Sequence, residues 1–298
     1  MFYCELCPRR CHVPRGETGR GFCGLGENPV VARAALHFDE EPCISGSRGS
    51  GAVFFSGCTL GCVYCQNWHI SHERFGRELA PGELRQVFDR LIEDEAHNIN
   101  LVTGTPFTRA IIDAIEEKPM PVPVVWNSSG YERLETLKML RGKVQVYLPD
   151  LKYLDVTGAR EYSLAADYPE VAKKALREMA RQVGEPVFDE EDVMVRGMIV
   201  RHLILPGRVK QSMRVLDWIH DNLPEGTYVS LMAQYLPCGK AKDMPPLDRR
   251  ITQAEYDQVV DHMIGLGMEN GFTQELSSAS EVFIPPFDLT GVGSADGH

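Results

Sequence analysis

The sequence predicts an α/β fold with a parallel sheet, and two observations carry that expectation. From Gly51 onward, short apolar runs alternate with amphipathic helical stretches, which is the order of repeated βα units. Each apolar run is also followed directly by a polar or glycine-rich segment, and ligand sites in parallel α/β folds collect at that end of the strands. At 298 residues and 43% hydrophobic content, the chain can fill one large core beside a small satellite. A doubly wound sheet and an open or closed (β/α) barrel are both compatible with this order.

The runs "AVFF", "NINLV", "VPVVW", "VQVYL", "VRGMIVRHLIL" and "TYVSLM" read as strands, about six in all. The clearest helix follows the first of them. There Pro81 suits a first turn, and Leu84, Val87, Phe88, Leu91 and Ile92 recur at i, i+3, i+4, i+7 and i+8. Similar stretches cover Glu132 to Arg141, Tyr168 to Val183 and Lys210 to Asn222. A late helix starts at "TQAE", where Thr252 and Glu255 form a capping box ahead of Tyr256, Val259, Val260 and Met263. The tail "DLTGVGSADGH" reads as frayed. Residues 1–45 are expected to form a Cys-rich N-terminal lobe, 46–250 the (β/α) unit, and 251–298 a helix and tail that complete it.

Charge and cysteine usage narrow the function. With 42 acidic against 31 basic residues the net charge is −11, which argues against a general nucleic-acid surface, although "PRRCHVPR" is locally basic. No stretch approaches the roughly 20 apolar residues of a membrane span, and "MFYCELCPRR" lacks the order of a signal peptide, so a cytoplasmic protein is expected. Nine cysteines in a reducing compartment then point to metal or redox chemistry rather than disulfides. Seven of them fall into two clusters.

The first cluster to consider is "FFSGCTLGCVYCQNW", where Cys58, Cys62 and Cys65 are spaced C-x3-C-x2-C. A cubane [4Fe–4S] cluster normally takes four thiolates, so a loop supplying three leaves one iron open to a ligand. Gly57 and Gly61 suit a tight loop around such a cluster. The alternatives are three buried cysteines by chance, or a zinc site that borrows His69 or His72.

The motif "CTLGCVYC", with its aromatic before the last Cys, resembles the signature of the radical S-adenosylmethionine (SAM) enzymes. Further segments, "NINLVT", "WNSSGYE", "YLPDLKY", "DYPEVAKKALREMARQVG" and "RGMIVRHLILPG", resemble the PflX-type branch, homologous to the pyruvate formate-lyase activating enzymes; the likeness spans nearly the whole chain. The resemblance implies a partial (β/α)6 barrel and reductive cleavage of SAM at the open iron to a 5′-deoxyadenosyl radical that abstracts hydrogen from a substrate. It maps Cys58, Cys62 and Cys65 onto the cluster ligands and Tyr64 onto the aromatic near the adenine. Asp150 and Lys152 map onto a D-x-K pair that contacts SAM, a reasonable clamp for a zwitterion.

Asn127, Ser128 and Ser129 follow a strand and offer polar groups to ribose or carboxylate, or simply make a turn before the next helix. Arg201 and His202 alternate faces within an apolar strand, so at most one looks into the barrel, and Arg201 is favoured. Two departures from the activating-enzyme pattern stand out. "VTGTPF" offers Gly104 and Thr105 where those enzymes have Gly-Gly-Glu, and Gln234 in "SLMAQYLP" stands near a late His position. They weaken the case for a glycyl-radical substrate, not for SAM cleavage.

The second cluster, Cys4, Cys7, Cys11 and Cys23, is spaced C-x2-C-x3-C-x11-C and satisfies either a closed tetrahedral zinc site or an auxiliary [4Fe–4S] cluster, the remaining alternative being core thiols without metal. Metal would hold together a lobe too small to fold alone. Cys43 and Cys238 read as small buried residues, and His37, His97 and His220 as surface or satisfied histidines. The partners expected are an electron donor such as flavodoxin or ferredoxin and a protein or peptide substrate. The rival reading is an iron–sulfur or zinc binding or electron-transfer module, for which a SAM clamp has no use.

Overall fold

The computed structural model describes residues 2–16, 21–280 and 284–293. The first cysteines sit on a small antiparallel hairpin, β1 (Phe2–Tyr3) with β2 (Pro14–Arg15). β3 (Val30–His37) then pairs antiparallel with β4 (Ser50–Phe55) across the short helix α1 (Pro42–Ser45). β3 belongs to the main sheet, so the sheet takes up the chain from Val30. After the three-cysteine loop come α2 (Trp68–Ser71) and β5 (Arg77–Glu78), which pairs with the outer edge of β3.

From there the βα repeat runs as the sequence predicts. The first half comprises α3 (Glu83–Glu93), β6 (Ile99–Val102), α4 (Thr108–Glu116), β7 (Val124–Ser128), α5 (Leu134–Leu140) and β8 (Val146–Pro149). The second comprises α6 (Val156–Ser163), α7 (Tyr168–Val183), β9 (Val187–Phe188), β10 (Met194–Leu203), α8 (Val209–Asn222), β11 (Tyr228–Met232), α9 (Gln253–Gly265) and β12 (Gly271–Thr273). The strand order is β12-β11-β10-β8-β7-β6-β4-β3-β5, with β9 attached antiparallel to β10. Strands β4 through β12 along this path pair in parallel. The two ends of the path do not meet, so the sheet is an open arc, a partial barrel.

Every residue of β4, β6, β7 and β8 is buried. Helices cover one face and the loops and lobe the other, which is why these strands read as apolar runs without alternation. The helices follow the opposite logic: α3 buries Leu84, Val87, Phe88 and Leu91 and leaves its other side to solvent. Pro81 lies just outside that helix, whose N-cap is Gly82.

Several elements escaped the sequence reading, among them the eight-residue strand β3, the helices α4 and α6 and the short parallel strand β12. The tail also differs from expectation as far as it is described. Leu289 N–H donates to Ala32 O, Ala34 N–H donates to Thr290 O, and Val292 is fully buried, so this stretch lies along β3. The expected capping box does form at α9: Thr252 Oγ1 accepts from Glu255 N–H at 3.2 Å, and the Glu255 carboxylate accepts from Thr252 N–H at 2.9 Å. Thr252→Ala removes one side of it and should lower stability by about 1 kcal/mol, read as a shift of the urea unfolding midpoint with an unchanged slope.

Candidate functional site

At the C-terminal ends of the parallel strands lies a cavity of about 250 Å³ that opens to solvent. Cys58, Cys62 and Cys65 line it together with Tyr64, Asn127, Ser128, Ser129, Asp150, Lys152, Arg201 and Gln234. Segments from Cys58 to Gln234 therefore converge on one space. Gly104 and Thr105 do not reach it. Gly104 packs against Ile111 and Trp126, Thr105 turns away toward Glu132, and Thr103 forms that part of the wall.

The three-cysteine loop leaves β4 through Gly57, whose φ of +73° a side chain would strain. A Cβ there would also lie 2.9 Å from the Cys23 carbonyl oxygen. Gly61 has ordinary φ, and space is its reason: a Cβ would meet Leu164 at 2.8 Å. Each sulfur has a polar neighbour. Leu60 N–H points at Cys58 Sγ (3.4 Å), Ser163 Oγ lies 2.9 Å from Cys62 Sγ, and Ser71 Oγ donates to Cys65 Sγ at 3.2 Å.

Burial pushes all three thiols up, Cys62 to about 11, with the neighbouring thiols adding to the rise at Cys58 and Cys65. Three such groups become thiolates only if a cationic centre replaces the lost hydration. Three thiols gathered on one C-x3-C-x2-C loop suit the donor chemistry of an iron–sulfur cluster, which is held by Cys thiolates. His69 and His72 are otherwise engaged: His69 stacks on Phe75 and pairs with Glu73, and His72 stacks on Trp68.

Opposite the cysteines stands a buried charge network. Asp150 directly follows β8 and is bridged to Arg201 of β10. Strand alternation turns Arg201 into the cavity and His202 away from it. His202 is buried between the Leu151 carbonyl (2.7 Å) and Ser212 Oγ (2.9 Å), and burial holds its pKa down to about 4. Arg201 reaches Glu40 (3.1 Å), Asn127 Oδ1 (2.5 Å) and Asp150 (3.4 Å), while Lys152 Nζ sits 2.5 Å from Asp150.

Burial acts to raise Asp150, but Lys152 and Arg201 outweigh it and keep the carboxylate below its ordinary value. Likewise burial would lower Lys152, and Asp150 reverses that. The Tyr168 hydroxyl ties the two loops together, reaching the Ser129 and Asp150 carbonyls at 2.9 Å each and accepting from Lys152 N–H. Tyr64 is buried and hydrogen-bonded to Tyr153. Gln234 is held by Gln274, and its carbonyl accepts from Gln66.

Sequence reasoning missed Glu40, which accepts from Asn100 (3.0 Å), Asn127 (3.1 Å) and Arg201. The acidic pair in "DEEPC" just before β4 is the signal that could have found it. His37 was set aside, yet it lines the cavity and packs edge-on against Phe54. Glu132 also went unremarked. It lies fully buried behind Thr105, accepts from Thr105 Oγ1 (2.6 Å) and Trp126 Nε1 (3.4 Å), and leaves Oε2 without a partner. The segment that lacked a Glu in sequence therefore receives one from the next loop.

A family model described as the radical SAM superfamily matches residues 52–233, more than half of the chain, including the three-cysteine loop, Asn127, Asp150, Lys152 and Arg201 of this cavity. The chain belongs to the radical SAM superfamily. Membership implies a [4Fe–4S] cluster, SAM and catalysis by radical chemistry, and the three-cysteine loop suits the cluster. Among curated proteins, the uncharacterized protein MJ0674 of Methanocaldococcus jannaschii is 31% identical over 268 residues, covering 87% of this chain and 73% of that protein. A second uncharacterized protein from the same organism, MJ0808, is 24% identical over 82% of this chain and 73% of its own length.

Among solved structures, SuiB of Streptococcus suis bound to S-adenosylmethionine aligns with a TM-score of 0.50 and 15% identity over 76% of this chain. That likeness is one of fold, and the radical SAM chain studied here spans about half of SuiB, 52% of its length.

Two outcomes test this geometry. Gly130 has φ +72°, and a Cβ on it would come within 2.4 Å of the Asp150 carbonyl oxygen. Gly130→Ala should therefore destabilise the protein by about 1–3 kcal/mol and weaken SAM binding measured calorimetrically. Glu132 carries a pKa that burial raises to about 7. The native state holds its proton more tightly than the unfolded chain does, so this group's contribution is intact below about pH 4.5. It is lost as pH rises through 7, by about 3 kcal/mol at most. Glu132→Gln should flatten that part of the stability profile in urea unfolding between pH 5 and 8.

Proposed function

We propose that this chain is a radical SAM enzyme of the activating-enzyme-like, PflX-type branch that abstracts hydrogen from a protein or peptide substrate. The observation that carries the reading is the lining of one cavity by the three-cysteine loop and by the Asp150, Lys152, Arg201 and Asn127 set. An electron carrier has no need of the second half. When bound, the cluster and SAM supply one-electron cleavage of the sulfonium and a 5′-deoxyadenosyl radical.

The residues then have separable tasks. Cys58, Cys62 and Cys65 hold the cluster and leave one iron open. Lys152 and Arg201 accept a carboxylate, while Asp150 and Glu40 accept an ammonium, so a zwitterion can exchange into pairs that are already formed. Asn127, Ser128 and Ser129 offer hydrogen bonds to ribose, Tyr64 a buried aromatic wall, and Gln234 a neutral donor and acceptor at the far side. Tyr64, Cys62, Asn127 and Ser128 are buried, which limits the water and stray hydrogen donors that reach a reactive centre.

The open side of the cavity supports a substrate that enters as an extended segment, and the cluster requires a low-potential donor of the flavodoxin or ferredoxin class. Asp150→Ala and Lys152→Ala should each abolish SAM cleavage under dithionite while leaving iron content unchanged. Cleavage at the native rate in both variants would remove the clamp and with it this reading.

A further inference from the structure

The N-terminal cysteines are not absorbed by the function above, and they form a built site of their own. The hairpin closes through Cys4 N–H to Val13 O (2.8 Å) and His12 N–H to Cys4 O (3.0 Å), and Arg10 N–H caps Cys7 O at 3.1 Å. These bonds hold Cys4, Cys7 and Cys11 on one turn. Cys23 returns to the same place from the far end of the lobe. Burial, reinforced by the neighbouring Cys11, Cys4 and Cys23, pushes Cys7 up to about 12.

Two sulfurs receive hydrogen bonds of the kind thiolates take: Phe22 N–H to Cys11 Sγ at 3.2 Å and Arg15 Nη1 to Cys23 Sγ at 3.4 Å. Arg15 is itself buried, at 1% exposure, and its Nε has no partner. A guanidinium is not placed there by a neutral, empty lobe.

We propose that Cys4, Cys7, Cys11 and Cys23 bind a second [4Fe–4S] cluster, ligated by four thiolates and so closed to SAM.

Position favours a cluster over zinc: a purely structural zinc has no need of the three-cysteine loop, whereas the lobe's last cysteine, Cys23, sets its carbonyl against Gly57, the residue before Cys58.

Position gives the second cluster a use. The Cys23 carbonyl accepts from Arg74 Nε (3.0 Å) and lies against Gly57, the residue before Cys58. Arg9, above the Phe22 ring, donates to Thr59 O at 2.9 Å within the three-cysteine loop. One electron taken from a low-potential donor by the outer cluster can thus pass to the inner one across this contact between the lobe and the three-cysteine loop. This last step rests on the proposed function; the binding of the cluster does not.

The test is metal and sulfide analysis of the anaerobically reconstituted full chain, with zinc measured in parallel. The native chain should hold on the order of eight irons, two cubanes, and Cys58→Ala/Cys62→Ala/Cys65→Ala about half of that, with no zinc. About four irons in the native chain and none in the triple variant would overturn the proposal, whether or not one zinc remains. Should the variant fail to fold, EPR of the reduced native chain decides instead. Two signals, one unmoved by SAM and lost in Cys7→Ser/Cys11→Ser, support the second cluster, and a single SAM-sensitive signal excludes it. If neither signal responds to SAM, the proposed function fails and the second cluster stands.

Discussion

A buried guanidinium at the C-terminal edge of the sheet sets the order of everything near it. Arg201 is on β10, yet its partners come from the segment before β4 (Glu40), from β7 (Asn127) and from the end of β8 (Asp150). A buried charge survives only with partners in place, so these segments must arrive together or not at all. Two carboxylates, Asp150 and Glu40, face two cations, Arg201 and Lys152. Glu41 adjoins the set, and burial raises its pKa against the pull of Arg201, which favours its neutral form. The site is therefore near electroneutral before any ligand enters. A zwitterionic ligand can trade one set of pairs for another without leaving an unpaired charge among these partly buried groups.

The Cys-rich lobe is joined to this site as firmly as any barrel loop. Arg9 donates to the carbonyls of Thr59 and Leu164, Arg15 Nη2 to Pro106 O at 2.8 Å, and Thr136 Oγ1 to Leu6 O at 2.6 Å. These contacts reach the loops after β4 and β6, the helix α5 and the end of α6. They are hydrogen bonds to backbone rather than apolar packing, because the lobe has too little apolar surface to build a core of its own. Orientation of the lobe is consequently specified by directional contacts, and a displacement of its cysteines is transmitted through Cys23 to Gly57.

Strands β4, β6, β7, β8, β10 and β11 were legible because a strand buried on both faces must be apolar along its length. The helices α3 and α7 were legible for the complementary reason, a 3.6-residue apolar stripe. β12 was not, since three residues, "GFT", carry no pattern and are strands only because β11 offers a free edge. In the site, the three cysteines and the D-x-K pair were readable as local motifs. Glu40 and Glu132 were not, because their importance lies in partners 161 and 27 residues away. Gly104 and Thr105 were misplaced for a related reason. Thr103 adopts φ +64°, and that turn swings the next two residues off the cavity wall and onto Trp126 and Glu132.

Cluster loading and folding are linked in this architecture. A thiol buried beside other thiols keeps its proton, as the raised values of Cys7, Cys58 and Cys62 show, and a thiolate is what an iron cluster requires. Loading must therefore supply enough binding energy to deprotonate groups that the folded chain holds neutral. Polar contacts already stand at five of the seven clustered sulfurs, from Leu60, Ser163, Ser71, Phe22 and Arg15, and they reduce that cost without cancelling it. The fold thus prepares both cysteine sets geometrically while leaving their electrostatics incomplete. That incompleteness gives the cluster implied by the family a large part in holding the three-cysteine loop in one arrangement, and the lobe would share that dependence under the proposal that it binds a second cluster.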